Sequence, residues 1–199
     1  QGKVSSFVKE YSDVVPEISI IIPIYNAEEN IETCINSISN QSFQNFEIVC
    51  VDQNSQDATL ETIFNLKKEE DRLKVLWQEE KNIGRARSRA LKHIQGKYVL
   101  FLEPENVLGK SVLEKLYKSS EKKGSEVTLF SGHKYTTVVK KAKKLPKSVK
   151  KNKKNNPISD SANVLSKISM ELWTKMFRRQ YLERECLLSE KYLHNSLLL

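Results

Sequence analysis

The sequence predicts an α/β fold: an open, mainly parallel sheet with helices on both of its faces. Over the first 130 residues, short apolar runs alternate with stretches in which apolar residues recur every three or four positions. The runs are typical of strands buried on both faces, and the recurring pattern is typical of helices with one apolar stripe. Strands separated by helices in this rhythm favour a parallel sheet, whose ligands bind beyond the carboxyl ends of the strands.

Five strands are predicted from the apolar runs. The first run is continuous and is ended by Pro23, as expected of a strand that is buried on both faces. The predicted strands span residues 18–22, 47–51, 73–77, 98–102 and 126–130.

Four helices are predicted between these strands. In the first, four apolar residues at i, i+3, i+4 and i+7 form one stripe: Ile31, Cys34, Ile35 and Ile38. The second is centred on 60–64, and the third spans 85–95 up to Gly96. The fourth begins at a capping box of Ser111 and Glu114 and ends at Gly124.

The pattern changes after residue 130. Residues 134–157 are rich in Lys and Asn and predict an exposed loop. Apolar residues then return at a spacing that we interpret as helical: Leu172, Trp173, Met176 and Phe177. We therefore predict four parts, which are an N-terminal extension (1–16), the α/β core (17–130), a Lys-rich loop (131–160) and a C-terminal helical region (161–199).

The formal net charge of +8 comes from one segment. Ten lysines and no acidic residue lie within 134–154, from Lys134 to Lys154, and the rest of the chain has 23 basic and 25 acidic residues. Such a segment is a solvated loop, or it attracts anionic lipid headgroups or an acidic polymer. Specific nucleic-acid binding is not expected, because Tyr135 is the one aromatic residue among the lysines and no nucleic-acid-binding motif is found.

The cysteines and the apolar runs bear on location. Cys34, Cys50 and Cys186 are odd in number and widely spaced, which favours buried thiols in a reducing compartment over disulfides or a zinc site. No signal-peptide pattern and no run of the roughly 18 to 20 apolar residues of a membrane span is found. We expect a cytoplasmic protein that the Lys-rich segment could attach to the inner face of a membrane.

Polar clusters follow three of the predicted strands, at 23–26 (PIYN), 52–57 (DQNSQD) and 103–106 (EPEN). Because the carboxyl ends of parallel strands share one edge of the sheet, we expect these clusters to meet in one crevice. The six glycines form neither a dinucleotide fingerprint nor a P-loop. The charge of a phosphorylated ligand would therefore be met by a cation and side chains.

Five segments, in order, resemble glycosyltransferase family 2. They are 18–26 (ISIIIPIYN), 39–48 (SNQSFQNFEI), 51–57 (VDQNSQD), 82–91 (NIGRARSRAL) and 96–106 (GKYVLFLEPEN). A sixth, 173–182 (WTKMFRRQYL), resembles the W-x-K-L-[FY]-R-R stretch of many members. The resemblance implies a GT-A fold that binds a nucleotide-diphospho-sugar, usually a UDP-sugar, with Mg²⁺ or Mn²⁺. It also implies inverting transfer of the sugar to a saccharide or lipid-linked acceptor, in cell-surface glycan synthesis.

The resemblance also implies a set of site residues. The nucleotide-sugar site would consist of Pro23, Tyr25, Asp52, Gln53, Asn82, Arg87, Glu103 and Glu105. The metal would be held by Glu105 and Asn106, and His194 stands where members often carry the acidic pair that supplies the base. In this scheme 17–130 is the nucleotide-sugar-binding core and 161–199 lies on the acceptor side.

Four positions depart from the acidic residues that the family usually carries: Gln53, Glu103, Glu105 and Asn106. Hard cations accept carboxylate and amide oxygens alike, but the two amides remove two negative charges, which weakens a cation site. Two alternatives therefore stay open. One is a catalytically impaired member that acts as a binding module, and the other is a polyanion binder that works through its Lys-rich segment.

Overall fold

The structure, a computed structural model, describes residues 15–130 and 172–184. In these residues it has the strands β1 (Ile18–Ile24), β2 (Phe46–Asp52), β3 (Leu73–Trp77), β4 (Tyr98–Phe101), β5 (Val127–Leu129) and β6 (Lys175–Arg178). The helices are α1 (Ile31–Ser39), α2 (Thr59–Glu69), α3 (Ile83–Leu91), α4 (Val112–Lys123) and, after a 3₁₀ turn at Leu172–Thr174, α5 (Arg179–Arg184). In the described part of the chain, no helix has the length and apolar character that crossing a membrane requires.

The strands form one six-stranded sheet in the order β3-β2-β1-β4-β6-β5. Strands β1 to β4 run parallel, and β6 runs antiparallel to both β4 and β5. The predicted open, mainly parallel α/β sheet is therefore confirmed. The central strand β1 is buried over its whole length, as its continuous apolar run indicated.

Each face of the sheet packs against its own helices. Ile18, Ile20, Ile22 and Ile24 of β1 share a core with α1, α2 and α4, so we name this side the α1 face. Ile21 and, from β2, Val49 and Val51 share a second core with α3 and α5, on the side that we name the α3 face. Side chains alternate between the two faces along each strand, so the parity of a position decides which helices it meets.

A buried carboxylate ties three strands together at the amino edge of the sheet. Glu47 of β2 accepts hydrogen bonds from Ser19 Oγ of β1 at 2.6 Å, Lys74 Nζ of β3 at 2.7 Å and the Gln95 N–H at 2.6 Å. Burial opposes ionisation, but the hydrogen bonds from Gln95, Lys74 and Ser19 hold the pKa of Glu47 below its ordinary value. The cluster therefore fixes the relative register of β1, β2 and β3.

Gly96 lets the chain pass close to β1 at the same edge. Its N–H donates to Ser19 Oγ at 2.9 Å, and a Cβ at this position would lie 2.5 Å from that oxygen and 2.6 Å from Ser19 N. The third helix ends at Leu91, four residues before the predicted boundary at Gln95. The glycine is thus required by this close approach and does not end the helix.

The helical interpretation of Leu172, Trp173, Met176 and Phe177 was wrong for most of this segment. After the 3₁₀ turn, β6 inserts between β4 and β5, with Met176 in the core of the α1 face and Phe177 in that of the α3 face. Neighbouring apolar residues therefore serve opposite faces of the sheet. The helix predicted for this C-terminal region begins only at Arg179, as the short α5.

The ends of α4 match the prediction in part. Gly124 adopts the left-handed conformation (φ 60°) that ends a helix, as predicted. The capping box was wrong, because the Ser111 side chain makes no capping bond in the described structure. The Glu114 carboxylate instead accepts hydrogen bonds from Ser42 Oγ at 2.8 Å and from Lys118. The Lys-rich loop and Cys186 lie outside the described residues.

Replacing Gly96 by alanine should destabilise the fold by about 2 kcal/mol, because the new methyl group overlaps Ser19 and the strand backbone cannot move away freely. Urea unfolding followed by circular dichroism measures this change. The matched control is Gly109→Ala, whose Cβ would meet nothing closer than Val112 Cγ2 at 3.7 Å and should change stability by less than about 0.5 kcal/mol. Equal unfolding midpoints for the two variants would contradict the proposed overlap.

Replacing Glu47 by glutamine should lower stability at pH 7 by about 2 kcal/mol, because charge-assisted hydrogen bonds to Ser19, Lys74 and Gln95 are weakened. Since the pKa of Glu47 is lowered in the folded chain, its contribution is present above the ordinary pKa of 4.5 and is lost as the pH falls through the folded value. Unfolding curves between pH 7 and pH 3 should therefore converge for the variant and the original chain.

The control for this experiment is Glu61→Gln on the exposed side of α2, which should change stability by less than about 0.5 kcal/mol. A stability difference at Glu47 that stays constant down to pH 3 would show that the carboxylate charge is not what holds the cluster.

Candidate functional site

A row of three side chains stands at the carboxyl edge of β1, β2 and β3. The strand ladder continues past the strand ends, since the Gln53 N–H donates to Ile24 O at 3.0 Å and the Gln78 N–H donates to Asp52 O at 2.8 Å. Tyr25, Gln53 and Gln78 therefore follow one another across the sheet, and alternation places all three on the α3 face. We call these three residues the strand-end row.

A buried cation and a carboxylate extend the site toward β4. Arg87 of α3 is 1% exposed, and its Nη2 lies 3.8 Å from Oε1 of Glu103, two residues beyond Phe101. Burial lowers the pKa of Arg87 to about 10, and the nearby Glu103 carboxylate offsets part of that shift. The guanidinium thus stays charged at pH 7, held in place before any ligand arrives.

The connection from β3 to α3 places the cation and covers part of the row. Asn82 caps α3, because its Oδ1 accepts a hydrogen bond from the Arg85 N–H at 2.9 Å. Gln78 Nε2 donates to Glu80 O at 2.7 Å and to Asn82 O at 3.0 Å, which shapes the connection. From it, Lys81 Nζ reaches back to lie 3.9 Å from the centroid of the Tyr25 ring. Since Tyr25 follows β1 and Lys81 follows β3, their contact spans the middle of the row, where Gln53 follows β2.

Asp52 lies on the opposite face from this row. It is fully buried, and its carboxylate accepts hydrogen bonds from the Asn54 N–H at 3.1 Å, the Ser55 N–H at 3.2 Å and Ser55 Oγ at 2.6 Å. Asn54 adopts a left-handed conformation (φ 65°) in this turn. The structure therefore gives Asp52 a part in shaping the loop after β2, and its nucleotide contact stays a prediction.

The loops after β1 and β2 are cross-linked. The Glu28 N–H donates to Asp57 Oδ2 at 3.2 Å, the Ala58 N–H donates to Glu28 Oε2 at 2.8 Å, and the Ala27 N–H donates to Thr59 Oγ1 at 2.7 Å. These reciprocal bonds join the starts of α1 and α2. These bonds stabilise the two loops next to the sheet edge that carries Tyr25 and Gln53.

Pro23, predicted to end the first strand, lies inside β1, where it is paired with Val51 of β2. The last residue pair between β1 and β4 is Ile21 with Phe101, so Pro23 lies past the region where a missing N–H would break the ladder to β4.

The acidic loop after β4 is a tight turn. Asn106 Oδ1 accepts a hydrogen bond from the Glu103 N–H at 2.7 Å, and the Asn106 N–H donates to Glu103 O at 2.9 Å, while Glu105 is exposed. Within residues 15–130 and 172–184, no three His, Cys, Asp or Glu side chains group as a metal site. A cation held by Glu105 and Asn106 would therefore need oxygens from a ligand. His194 lies outside the described residues.

Of the predicted set, the structure places Tyr25 beside Gln53 at the ends of β1 and β2, and Arg87 beside Glu103, while Asn82 caps the helix that carries Arg87. Sequence reasoning missed Gln78 and Lys81. The signal was available for Gln78, because it follows the third strand directly, as Gln53 follows the second.

Solved structures share this fold. The crystal structure of S. aureus TarS 1-349 in complex with UDP superposes with a TM-score of 0.74 at 26% identity, over 89% of this chain and 52% of that one. Residues 19–185 match the model of Glycosyl transferase family 2. The chain belongs to this family, and the predicted GT-A fold is confirmed.

Two curated proteins that are similar to this chain are glycosyltransferases by name. A poly(ribitol-phosphate) beta-glucosyltransferase of Bacillus spizizenii is 33% identical over 120 residues, which are 57% of this chain and 18% of the relative. A GalNAc(5)-diNAcBac-PP-undecaprenol beta-1,3-glucosyltransferase of Campylobacter jejuni is 29% identical over 182 residues, 89% of this chain and 57% of the relative. The chain therefore spans less than two thirds of the length of either relative.

Proposed function

We propose that the chain carries the donor site of an inverting glycosyltransferase that takes a sugar from a UDP-sugar. The observation that supports this most strongly is the buried Arg87 beside Glu103, on the β4 side of the strand-end row. The Arg87 guanidinium can pair with the negative charge of a diphosphate, and the polar side chains of the strand-end row can bind a nucleoside. A second structure of S. aureus TarS 1-349, with UDP-GlcNAc, is 27% identical and superposes with a TM-score of 0.72.

The acceptor is proposed to be a saccharide or a lipid-linked glycan of the cell surface. Both curated relatives are glucosyltransferases by name, and the names include a ribitol-phosphate polymer and an undecaprenol-linked glycan. In one displacement, the acceptor hydroxyl would attack the anomeric carbon while the bond to the diphosphate breaks, which inverts that carbon. His194 is the proposed base for the hydroxyl proton.

Arg87 would stabilise the charge that develops on the leaving diphosphate. Its fixed position is an advantage, because a cation that is already desolvated and oriented needs no rearrangement during the reaction. The N-terminus of α3, capped by Asn82, lies one turn before Arg87 and adds a positive dipole end to the same region. These groups favour the departing UDP over the intact donor.

A divalent cation could be bound by two residues of the loop after β4. Mg²⁺ and Mn²⁺ are often bound by one or two carboxylates together with phosphate oxygens of the substrate, and Glu105 with Asn106 could supply the protein oxygens. When bound, such an ion would neutralise charge on the diphosphate. The amide at Asn106 makes this cation site weaker than one built from two carboxylates.

The proposal also assigns a role to each part of the chain. Residues 17–130 would bind the nucleotide-sugar and 161–199 would face the acceptor. The lysines between 134 and 154 would hold a cytoplasmic enzyme against an anionic membrane surface, where a lipid-linked acceptor is found.

Thermal unfolding with UDP, GDP, CDP and TDP, each with Mn²⁺ and with chelator, tests the donor. UDP at about 100 times its Kd should raise the free energy of unfolding by about 2.7 kcal/mol, and the other nucleotides should raise it less. Chelator should reduce the UDP effect, because the cation and the diphosphate complete each other's coordination. Stabilisation by none of the four nucleotides, or by GDP alone, would contradict a UDP-sugar donor site.

Arg87→Met should weaken UDP binding by about 10- to 100-fold in calorimetry, the range expected when a charge-assisted bond to phosphate is lost. Uridine binding should be unchanged, because uridine has no diphosphate. Methionine has a similar volume, so the variant should still fold. Arg89→Met, on the exposed side of the same helix, is the matched control and should bind UDP normally. An equal loss for UDP and uridine would show that Arg87 supports the fold of the site and does not contact the diphosphate.

A further inference from the structure

We propose that the exposed side of α3 binds an anionic lipid surface. The inference rests on the proposed function in one respect, the acceptor at a membrane, and it adds a surface of the described fold to the Lys-rich segment as a membrane contact. It does not depend on which nucleotide the domain binds.

The exposed residues of α3 and of the segments on either side of it are almost all basic. Between residues 81 and 102 the chain has six Lys or Arg residues and no Asp or Glu. Seven residues between 81 and 97 are exposed, and only Gln95 among them is not basic. The other six are Lys81, Arg85, Arg89, Lys92, His93 and Lys97. This side of the helix therefore presents positive charge and no acidic residue of its own.

Helical spacing gathers the charge along one line. Arg85, Arg89 and Lys92 follow one another at i, i+4 and i+7, and we call these three residues the basic row. Arg85 pairs with Glu80, but neither Arg89 nor Lys92 has an ion pair among the described residues. The helix dipole favours a cation in the last turn and disfavours one in the first turn, where Arg85 lies. The stability of the helix therefore does not account for the basic row.

The helices on the opposite face of the sheet lack such an excess of charge. Together α1, α2 and α4 carry six basic and five acidic residues. In contrast, α3 carries three Arg residues and no acidic residue within nine positions. An anionic surface would therefore orient the domain with α3 toward it.

The position and shape of α3 suit a flat partner. The helix packs against β1 and β2, so its outer side forms the middle of the α3 face. Single-stranded nucleic acids are held in basic grooves that contain aromatic side chains. The basic row instead lies on a convex helix surface, and residues 81–97 include no Phe, Trp or Tyr. These observations favour a lipid surface over a linear polyanion.

This orientation brings the candidate site close to the lipid. Because α3 connects the parallel strands β3 and β4, it runs antiparallel to them and its N-terminus lies at the carboxyl edge of the sheet. With the helix lying along the membrane, the edge that carries the strand-end row stands beside the lipid headgroups. A lipid-linked acceptor would be found at this level.

Sedimentation with lipid vesicles tests the inference on the full chain. The chain should bind vesicles of equal parts phosphatidylglycerol and phosphatidylcholine but not phosphatidylcholine alone, and added salt should weaken this binding. Replacing both Arg89 and Lys92 by Gln should weaken it by about 20- to 30-fold, since each basic residue near an anionic surface contributes about fivefold.

The matched control replaces both Lys115 and Lys122 by Gln. These lysines are exposed on α4, on the opposite face of the sheet, and the control should bind the vesicles nearly as well as the original chain. All three proteins contain the same Lys-rich segment, so a difference between the two double variants reports the contribution of the α3 surface.

Two results would overturn the inference. One is the absence of any preference of the original chain for vesicles with phosphatidylglycerol, and binding to soluble polyphosphate in that case would assign the basic row to a soluble polyanion. The other is equal vesicle binding by the two double variants. UDP binding in solution should be the same in all three proteins by calorimetry. Its absence from all three would contradict the proposed function and leave the vesicle result unaffected, so the two failures are distinguishable.

Discussion

The register of the central strand β1 is the constraint on which the rest of the structure depends. β1 is buried on both faces and pairs in parallel with β2 and β4, so a slip of one residue would exchange its two sets of side chains between the α1 and α3 faces. The same register continues past the strand ends. It therefore decides that Tyr25 and Gln53 stand beside each other on the face of α3, while Asp52 lies on the other face and shapes its own loop.

Polar groups form hydrogen bonds between the strands and loops at both edges of the sheet. At the amino edge, Glu47 joins three strands, and Gly96 allows the chain to pass against Ser19. At the carboxyl edge, Glu28 and Asp57 exchange hydrogen bonds with each other's loops. Such supports position the side chains at the edge, as the proposed donor site would need in order to bind a diphosphate and stabilise its departure.

The sequence predicted the parallel core well because its signals are local. The apolar run at 18–22 lies in β1, and the stripe from Ile31 to Ile38 lies in α1, each within two residues of its observed bounds. The prediction of a helix at Met176 and Phe177 was wrong, because adjacent apolar residues fit either a helix or a strand that is buried on both sides. Only the distant partners β4 and β5 decide between these, and local spacing does not contain that information. The site was predicted as a set of strand ends, but which face each residue takes follows from parity and hydrogen bonding.

The departures from the acidic residues that the family usually carries reduce the negative charge at the carboxyl edge of the sheet. In the proposed donor site, the amides at Gln53 and Asn106 would remove negative charge near a diphosphate, which would reduce repulsion and at the same time weaken the binding of a cation. In the proposed function, more of the compensation for the phosphate charge would then fall on Arg87, whose burial makes its field strong because little water screens it. The Glu103 carboxylate at 3.8 Å keeps that guanidinium charged and oriented when no ligand is bound. In the proposed donor site, the neutral amide of Gln53 and the cation of Arg87 would thus lie at different strands of the same sheet edge.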